Sequence, residues 1–195
     1  MKQLFKGFKG AWYFFWGHLL ALFFYDKRFL RGRWFTGKFC GLCAPGWEWA
    51  VRGVTARLAG RGTPARFPVS PDCRIIFPQN LVFHPDDLNN FQTFGCYYQA
   101  AGTITLGRGT YIAPNVGLIT SNHDLLNPDE HIRPEPITLG EQCWVGMNSV
   151  ILPGVTLGDH TIVGAGSVVT KSFPAGHCVI AGNPARVLRE LPRNT

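Results

Sequence analysis

A repeat of six residues in the C-terminal half constrains this chain most. An aliphatic or small residue recurs at every sixth position: Leu139, Val145, Ile151, Leu157, Val163, Val169, Ala175 and Ala181. Glycine directly follows six of these residues, and the same period appears upstream at Leu106, Ile112 and Leu118. A period of six matches neither the 3.6-residue period of a helix face nor the two-residue period of a strand face.

A six-residue period is typical of a solenoid of short strands that turns at every repeat. The aliphatic residue points into a narrow interior, and the small residue after it allows the turn. Small residues at Ala113, Ala165 and Ser167 also suit a thin core. Because each coil buries its apolar face only by stacking on its neighbours, the repeat predicts an all-β fold, a parallel β-helix.

The repeat is interrupted once. Leu118 and Leu139 are 21 residues apart, which is not a multiple of six, so an inserted loop is predicted at residues 122–136. The early coils, from about residue 70 to 100, are less regular. The predicted β-helix domain covers residues 69–185, and a short closing helix and tail are predicted at 186–195.

Residues 1–68 differ in composition from the remainder. The first 66 residues contain twelve Lys or Arg but only Asp26 and Glu48 as acids, whereas the later residues carry a small negative charge. Sixteen of the 26 aromatic residues lie in the first 49. Basic and aromatic residues together favour an anionic membrane surface over a nucleic acid. The alternative is an aromatic cap that packs on the main domain.

The run at residues 11–25 carries no formal charge apart from that of His18, and basic residues flank it on both sides. It has 15 residues, whereas a membrane-spanning helix needs about 20. No small-residue cleavage site follows it, which argues against a secretory signal. The run therefore predicts a mainly helical, interfacial or re-entrant anchor, peripheral or monotopic, at the cytoplasmic face of the cell membrane.

The six cysteines do not indicate a metal site. Cys40 and Cys43 form a CxxC pair, but neither a second pair nor a nearby pair of histidines accompanies it. Such a lone pair is weak as a zinc motif. Free, mostly buried thiols of a cytoplasmic protein are the better interpretation, and we expect no metal.

Three stretches resemble the hexapeptide-repeat acyltransferase family, in particular bacterial sugar and polysaccharide O-acetyltransferases. They are residues 104–124, which end in Ser-Asn-His-Asp; residues 139–158, with Cys-Trp-Val-Gly; and residues 163–186, which end in Ala-Gly-Asn-Pro-Ala-Arg. The resemblance covers about residues 92–190. It implies a left-handed triangular β-helix, acetyl-CoA as the acyl donor, and a homotrimer with active sites between subunits.

His123 is the candidate general base. It lies where the repeat breaks, so its ring need not pack in the interior, and a histidine can take the proton of an incoming hydroxyl near neutral pH. In the resembling family the histidine just before the extruded loop is that base; a surface loop histidine is the structural alternative. Acceptor contacts are predicted at Asn122, Asp124, His131, His84 and Asp87, with Asp86, Asn89 and Asn90 as further candidates.

Acetyl-CoA requires an apolar slot and cations for its phosphates. By resemblance, Trp144 lies beside the pantetheine arm, and Arg186 and Arg189 lie near the phosphate end. The remaining predicted donor-site residues are Gly146, Met147, Gly164, Ala165, Thr170 and Lys171. Met147 departs from the family, in which many members have serine there, so a backbone N–H near Gly146 or Met147 is the expected oxyanion donor.

The sequence therefore predicts an acetyl-CoA-dependent O-acetyltransferase that acts on a sugar of a cell-envelope polysaccharide or a lipid-linked glycan. Two alternatives stay open. One is N-acetyl transfer to an amino sugar, a nucleotide sugar or an antibiotic. The other is a non-catalytic β-helix scaffold. No nucleic-acid partner is expected.

Overall fold

The computed structural model describes residues 2–36 and 44–193, and side chains from residue 8 onward. The Cys40–Cys43 pair lies outside the described residues. Within these described residues, two helices, α1 (Lys2–Phe24) and α2 (Pro45–Leu58), precede fourteen strands, and short 3-10 segments lie at Lys27–Phe29, Pro78–Asn80 and Pro85–Phe91. The strands are β1 (Arg74–Ile76), β2 (Leu81–Val82), β3 (Tyr97–Gln99), β4 (Ile104–Leu106), β5 (Tyr111–Ile112), β6 (Gly117–Ile119), β7 (Ile137–Leu139), β8 (Trp144–Val145), β9 (Val150–Ile151), β10 (Thr156–Leu157), β11 (Thr161–Val163), β12 (Val168–Val169), β13 (Cys178–Gly182) and β14 (Ala185–Glu190).

The strands form three sheets, which are the faces of a triangular parallel β-helix. Face 1 contains β1, β3, β6, β9 and β12; face 2 contains β2, β4, β7 and β10; face 3 contains β5, β8, β11, β13 and β14. The chain runs from face 2 to face 3 to face 1 in each coil, so the coil has three corners, here called 2–3, 3–1 and 1–2. The predicted parallel β-helix is confirmed.

The six-residue repeat sets the register between coils. Leu139 pairs with Leu157, Val145 with Val163 and Ile151 with Val169, so three repeats of six make one coil. All six of these side chains are fully buried. Burial of each such side chain contributes about 1.5–3 kcal/mol, so the stacked repeat residues are the main source of stability in these coils.

The repeat ends earlier than its spacing predicts. Ala175 is exposed, and Ile180 rather than Ala181 lies in the interior, where it pairs with Val163 seventeen residues before it. Phe173 pairs with Leu157 after sixteen residues, so the last coil is shorter than the others. The predictions for Ala175 and Ala181 are therefore wrong. The physical reason is that isoleucine fills the core where alanine would leave a cavity.

The predicted C-terminal helix at residues 186–195 is also wrong in its described part. Residues 185–190 form β14, which pairs antiparallel with β13. The last coil would otherwise leave the backbone groups along one edge of β13 without a partner, and the hairpin satisfies them.

The N-terminal residues form the helices α1 and α2, so the fold is not purely all-β. They pack on the β-helix and share its core. Tyr25, Phe29 and Phe67 belong to one continuous buried cluster with the interior residues of the strands. The Phe29 ring stacks on Phe83 with 4.9 Å between ring centroids. The helical segment therefore covers the first coils and is not an independent unit.

Asp86 fastens the N-terminal segment to the 3-10 segment Pro85–Phe91. Its carboxylate accepts a hydrogen bond from the Arg33 backbone N–H at 2.9 Å, and its carbonyl accepts one from the Trp34 indole at 2.6 Å. The Arg33 N–H is the main cause of a lowered pKa of the Asp86 carboxyl, and His84 and Arg108 lower it further. Asp86 is therefore a structural carboxylate between the two parts of the chain.

Corner 2–3 is built from glycines that leave no room for a side chain. A Cβ on Gly140 would lie 2.6 Å from the Asp159 backbone nitrogen and 2.8 Å from the carbonyl carbon of Gly158. A Cβ on Gly107 or on Gly158 would likewise clash with backbone atoms of the next coil. Close stacking of backbone on backbone at this corner explains why glycine follows the repeat residues here.

We expect Gly140→Ala to lower the free energy of unfolding by about 2 kcal/mol, because the added methyl forces the stacked coils apart. Urea denaturation followed by circular dichroism measures the change. Gly117→Ala is the matched control: its added Cβ would lie 3.7 Å from Val150, an ordinary contact. Equal stability of the two variants would contradict this explanation of the glycines.

Candidate active site

The inserted loop leaves the β-helix at corner 1–2, after β6. Thr120 and Ser121 fix its base: the Thr120 hydroxyl donates to the Gln99 carbonyl at 2.6 Å, and the Ser121 N–H donates to the Gln99 side chain at 3.0 Å. The chain returns at Glu135, whose N–H donates to the Thr120 carbonyl at 2.8 Å. These bonds attach the loop rigidly to the corner from which His123 projects.

His123 begins an antiparallel hairpin with His131. The Ile132 N–H donates to the Asn122 carbonyl at 3.0 Å, and the Asp124 N–H donates to the Glu130 carbonyl at 2.9 Å. The two imidazole rings lie 4.2 Å apart between centroids. The hairpin thus holds the candidate base on an exposed surface, outside the β-helix interior.

The carbonyl of Pro128 orients the His123 ring. Nδ1 of His123 lies 2.6 Å from this oxygen. Since a carbonyl can only accept, Nδ1 carries the proton, and in the neutral ring Nε2 is then the free acceptor. A base with this tautomer can take a proton from a hydroxyl. No sequence pattern points to Pro128, because its contribution is a backbone carbonyl, which every residue has.

The Asp124 carboxylate, predicted as an acceptor contact, bonds to the backbone of its own loop. Its carboxylate accepts hydrogen bonds from the backbone N–H groups of Leu126 and Asn127 at 2.8 and 3.0 Å. This is an Asx turn, which shapes the loop after His123. Asn122 and His131 are exposed beside His123, and they stay candidate contacts for the acceptor.

His84 and Asp87 lie away from corner 1–2: His84 is the N-cap of the 3-10 segment Pro85–Phe91, and Asp87 lies within that segment near corner 2–3. Asp87 is only 2% exposed, and it accepts a hydrogen bond from the Gly109 N–H at 3.0 Å. Burial is the main cause of a raised pKa of its carboxyl. This burial contradicts the predicted acceptor contact of Asp87. Nδ1 of His84 accepts from the Asp86 N–H, which ties His84 to the same structural segment.

Four of the predicted donor-site residues, Gly146, Met147, Gly164 and Ala165, follow corner 3–1 over successive coils. Met147 and Ala165 are exposed at this corner. A Cβ on Gly146 would lie 2.6 Å from the Ala165 nitrogen, and one on Gly164 would lie 2.8 Å from the Ala181 Cβ. Ala181 pairs with Arg186 across the last hairpin. The corner thus forms a narrow strip of mostly small residues and backbone that ends beside Arg186.

Trp144 lies beside the start of this strip. It is 55% exposed on the outer side of face 3, between Tyr111 and Ile162 of the neighbouring strands. Arg189 lies on the same face, paired with Val179. Tyr111 is a second exposed aromatic residue next to Trp144 that the repeat alone did not single out.

Thr170 and Lys171 lie at a different corner from the other donor-site residues. They follow β12 of face 1, at corner 1–2, two coils from the base of the loop that carries His123. The Lys171 ammonium lies over the Phe173 ring at 5.6 Å. One chain therefore has His123, the candidate base, and Lys171 on one side of face 1, and the strip from Met147 to Arg186 on the other side.

The repeat and the sequence around it have counterparts among known proteins. The Bacterial transferase hexapeptide (six repeats) profile matches residues 136–171. A candidate acetyltransferase of Dictyostelium discoideum is 38% identical over 142 residues, which make up 71% of this chain and 72% of that relative. The chain belongs to the hexapeptide-repeat acyltransferase family.

Two other proteins of the family share shorter parts with this acyltransferase. WcaF of Escherichia coli K12, a candidate colanic acid biosynthesis acetyltransferase, is 35% identical over 53% of this chain and 56% of its own length. The structure of a maltose O-acetyltransferase from Clostridium difficile 630 superposes with a TM-score of 0.52 at 29% identity, over 62% of this chain and 64% of that one. The chain thus spans less than two thirds of both proteins.

Proposed function

We propose that this protein transfers the acetyl group of acetyl-CoA to a hydroxyl of a sugar in a cell-envelope polysaccharide or a lipid-linked glycan. The observation that carries the proposal is the exposed His123, whose Nδ1 is hydrogen-bonded to the Pro128 carbonyl. That bond leaves Nε2 free to act as the general base of acyl transfer.

In the proposed mechanism, Nε2 of His123 takes the proton of the acceptor hydroxyl as its oxygen attacks the thioester carbonyl carbon. The negative charge of the tetrahedral intermediate falls on the former carbonyl oxygen, which requires a preorganised donor. The Gly146 N–H already donates to the Val163 carbonyl at 2.8 Å, so the Met147 N–H is the proposed donor. The carbon–sulfur bond then breaks, and the CoA thiolate takes the proton from the His123 imidazolium.

The strip along corner 3–1 suits the acyl donor. The apolar surface of Trp144 borders it at one end, and the guanidinium of Arg186 lies at the other, where the phosphates of CoA would be. Gly164 and Ala165 offer backbone and small side chains between these ends. We propose that the pantetheine arm follows this strip, with Arg189 near the phosphates. In this scheme acetyl-CoA is a co-substrate, and no metal takes part.

A homotrimer would bring the two halves of the site together. His123 and Lys171 lie at corner 1–2, whereas Trp144 and Ala165 lie along or beside corner 3–1. If corner 1–2 of one subunit faces corner 3–1 of the next, each active site contains residues from two subunits. We propose this arrangement, with the left-handed winding that the family implies, and place Thr170 and Lys171 at the donor site of the neighbouring subunit.

Two observations support the proposed class of acceptor. The names of WcaF and of the maltose O-acetyltransferase refer to sugars, and the basic, aromatic N-terminal segment suits a membrane surface. We therefore propose that the enzyme works at the cytoplasmic face of the cell membrane, where envelope glycans are assembled on lipid carriers. Asn122 and His131, exposed beside His123, are the proposed acceptor contacts.

A thiol-release assay tests the proposal. We expect purified full-length protein to release free CoA from acetyl-CoA only when a hydroxyl-bearing sugar or lipid-linked glycan is present. Release only with amino sugars would instead establish N-acetyl transfer. Absence of release together with absence of CoA binding by calorimetry would favour the scaffold. CoA binding without release for any acceptor in a panel that includes lipid-linked glycans would contradict the proposed acceptor class.

A further inference from the structure

Helix α1 carries a continuous exposed apolar face. Its large apolar residues with side chains between 39% and 76% exposed are Phe8, Trp12, Phe15, Trp16, Leu19, Leu22 and Phe23. Their spacing of three and four residues places them within an arc of about 120° around the helix. We call this surface the α1 docking face.

The opposite side of α1 is also apolar, but it is covered. A Cβ on Gly17 would lie 3.0 Å from the Trp47 ring of α2, and the Phe14 ring lies 5.7 Å from that ring between centroids. Ala21 is 4% exposed in the same contact region. A helix on the surface of a protein in water normally has polar residues on its outer side. An exposed outer face that is as apolar as the packed one indicates a further binding surface.

The basic residues at both ends of the α1 docking face indicate what binds to it. Exposed Lys27, Arg28 and Arg31 follow the C-terminal end of α1, and exposed Lys9 lies near its start. The first 66 residues carry twelve basic and two acidic residues. The indole rings of Trp12 and Trp16 are amphipathic and favour the boundary between lipid and water. Apolar and indole groups between basic ends match the headgroup region of an anionic bilayer.

We infer that the α1 docking face binds an anionic lipid bilayer and that α1 lies parallel to the membrane plane. Among residues 2–36 and 44–193 there is no helix long and apolar enough to cross a membrane. Because α2 packs on the opposite side of α1, only the side chains of the docking face can enter the lipid. The surface extends the membrane association of the proposed function by naming the face, its orientation and the lipid class.

Vesicle flotation with full-length protein tests this surface without any acetyl transfer, so its failure and that of the proposed activity are distinguishable. We expect binding to phosphatidylcholine–phosphatidylglycerol vesicles, weaker binding at high salt, and weaker binding to pure phosphatidylcholine. The variant Trp12→Ser/Phe15→Ser/Leu19→Ser/Phe23→Ser should lose at least about tenfold in partitioning. It removes only exposed side chains, and circular dichroism checks its fold.

A matched control and a depth measurement complete the test. Leu58→Ser/Val82→Ser/Phe94→Ser/Leu188→Ser removes four exposed apolar side chains elsewhere and should bind like the parent protein. Lipids brominated on their acyl chains should quench the tryptophan emission of the parent but not that of Trp12→Phe/Trp16→Phe, which should still bind. Unchanged binding of the α1 serine variant would overturn the inference. So would a fall in its oligomeric size by light scattering, which would mean that a second copy of the chain covers the face.

Discussion

His123→Ala is expected to lower kcat/KM for acetyl transfer about 1,000-fold, the usual contribution of a general base. In the proposed mechanism the lost imidazole accepts the hydroxyl proton, and its Nδ1 hydrogen bond to the Pro128 carbonyl selects the tautomer for that role. Rates of thiol release from acetyl-CoA over a range of subsaturating acceptor concentrations give kcat/KM and so measure the effect. Because His123 is exposed, the free energy of unfolding should change little.

His160→Asn is the control for this variant. His160 has a positive φ of 55°, which asparagine tolerates better than most residues, and its ring contacts His177, not His123. We expect kcat/KM within about twofold of that of the parent, since surface substitutions away from the site change little. A folded His123→Ala variant with full activity would refute the role of His123 as the base. Such a result would direct attention to His131, the neighbouring imidazole.

Asn90→Ala is expected to lower the free energy of unfolding by about 3–5 kcal/mol, the largest stability effect that we predict. Asn90 is 0% exposed. Its side-chain amide donates to the Thr110 carbonyl at 2.8 Å, and its side-chain oxygen accepts from the Ile112 N–H at 2.9 Å. Truncation leaves both backbone groups of the next coil buried without a partner, each at a cost of about 1–3 kcal/mol.

Urea denaturation of Asn90→Ala and Asn89→Ala separates this effect from a general sensitivity of the segment. The Asn89 side chain is partly exposed and accepts only a long hydrogen bond, 3.3 Å, from Arg33, so its loss should cost about 1 kcal/mol or less. If the two variants were equally stable, the hydrogen bonds of the Asn90 side chain to the Thr110 carbonyl and the Ile112 N–H would not stabilise the fold as we predict. The buried position of Asn90 also excludes it as the acceptor contact that its sequence neighbourhood suggested.

Much of the fold could be read from the sequence because a six-residue period has few structural solutions. Leu139 to Val169 point inward in the predicted order, and the break in the period located the loop that carries His123. The period did not predict where the solenoid ends. Ile180 replaces Ala181 in the core, since filling volume in a close-packed interior outweighs continuation of the spacing.

For the candidate site, the sequence proposed individual residues but not how they are arranged in space. His123 stood out because it lies at the break, whereas nothing in the sequence distinguished Asp87, which is buried, from an exposed carboxylate. Tertiary contacts made the difference, since the Gly109 N–H that Asp87 binds lies 22 residues further along the chain.

The six-residue period and the local composition are enough to predict the stacked β-helix, the inserted loop and the aromatic, basic character of the N-terminal segment, because they fix which residues must be buried or turned. Contacts between distant parts of the chain settle which side of α1 stays exposed, that β14 closes the last coil, and that the Pro128 carbonyl orients His123. They also place His123 and the strip from Met147 to Arg186 on opposite sides of face 1. These features depend on backbone groups and on neighbours distant in sequence, and neither leaves a pattern in the order of side chains.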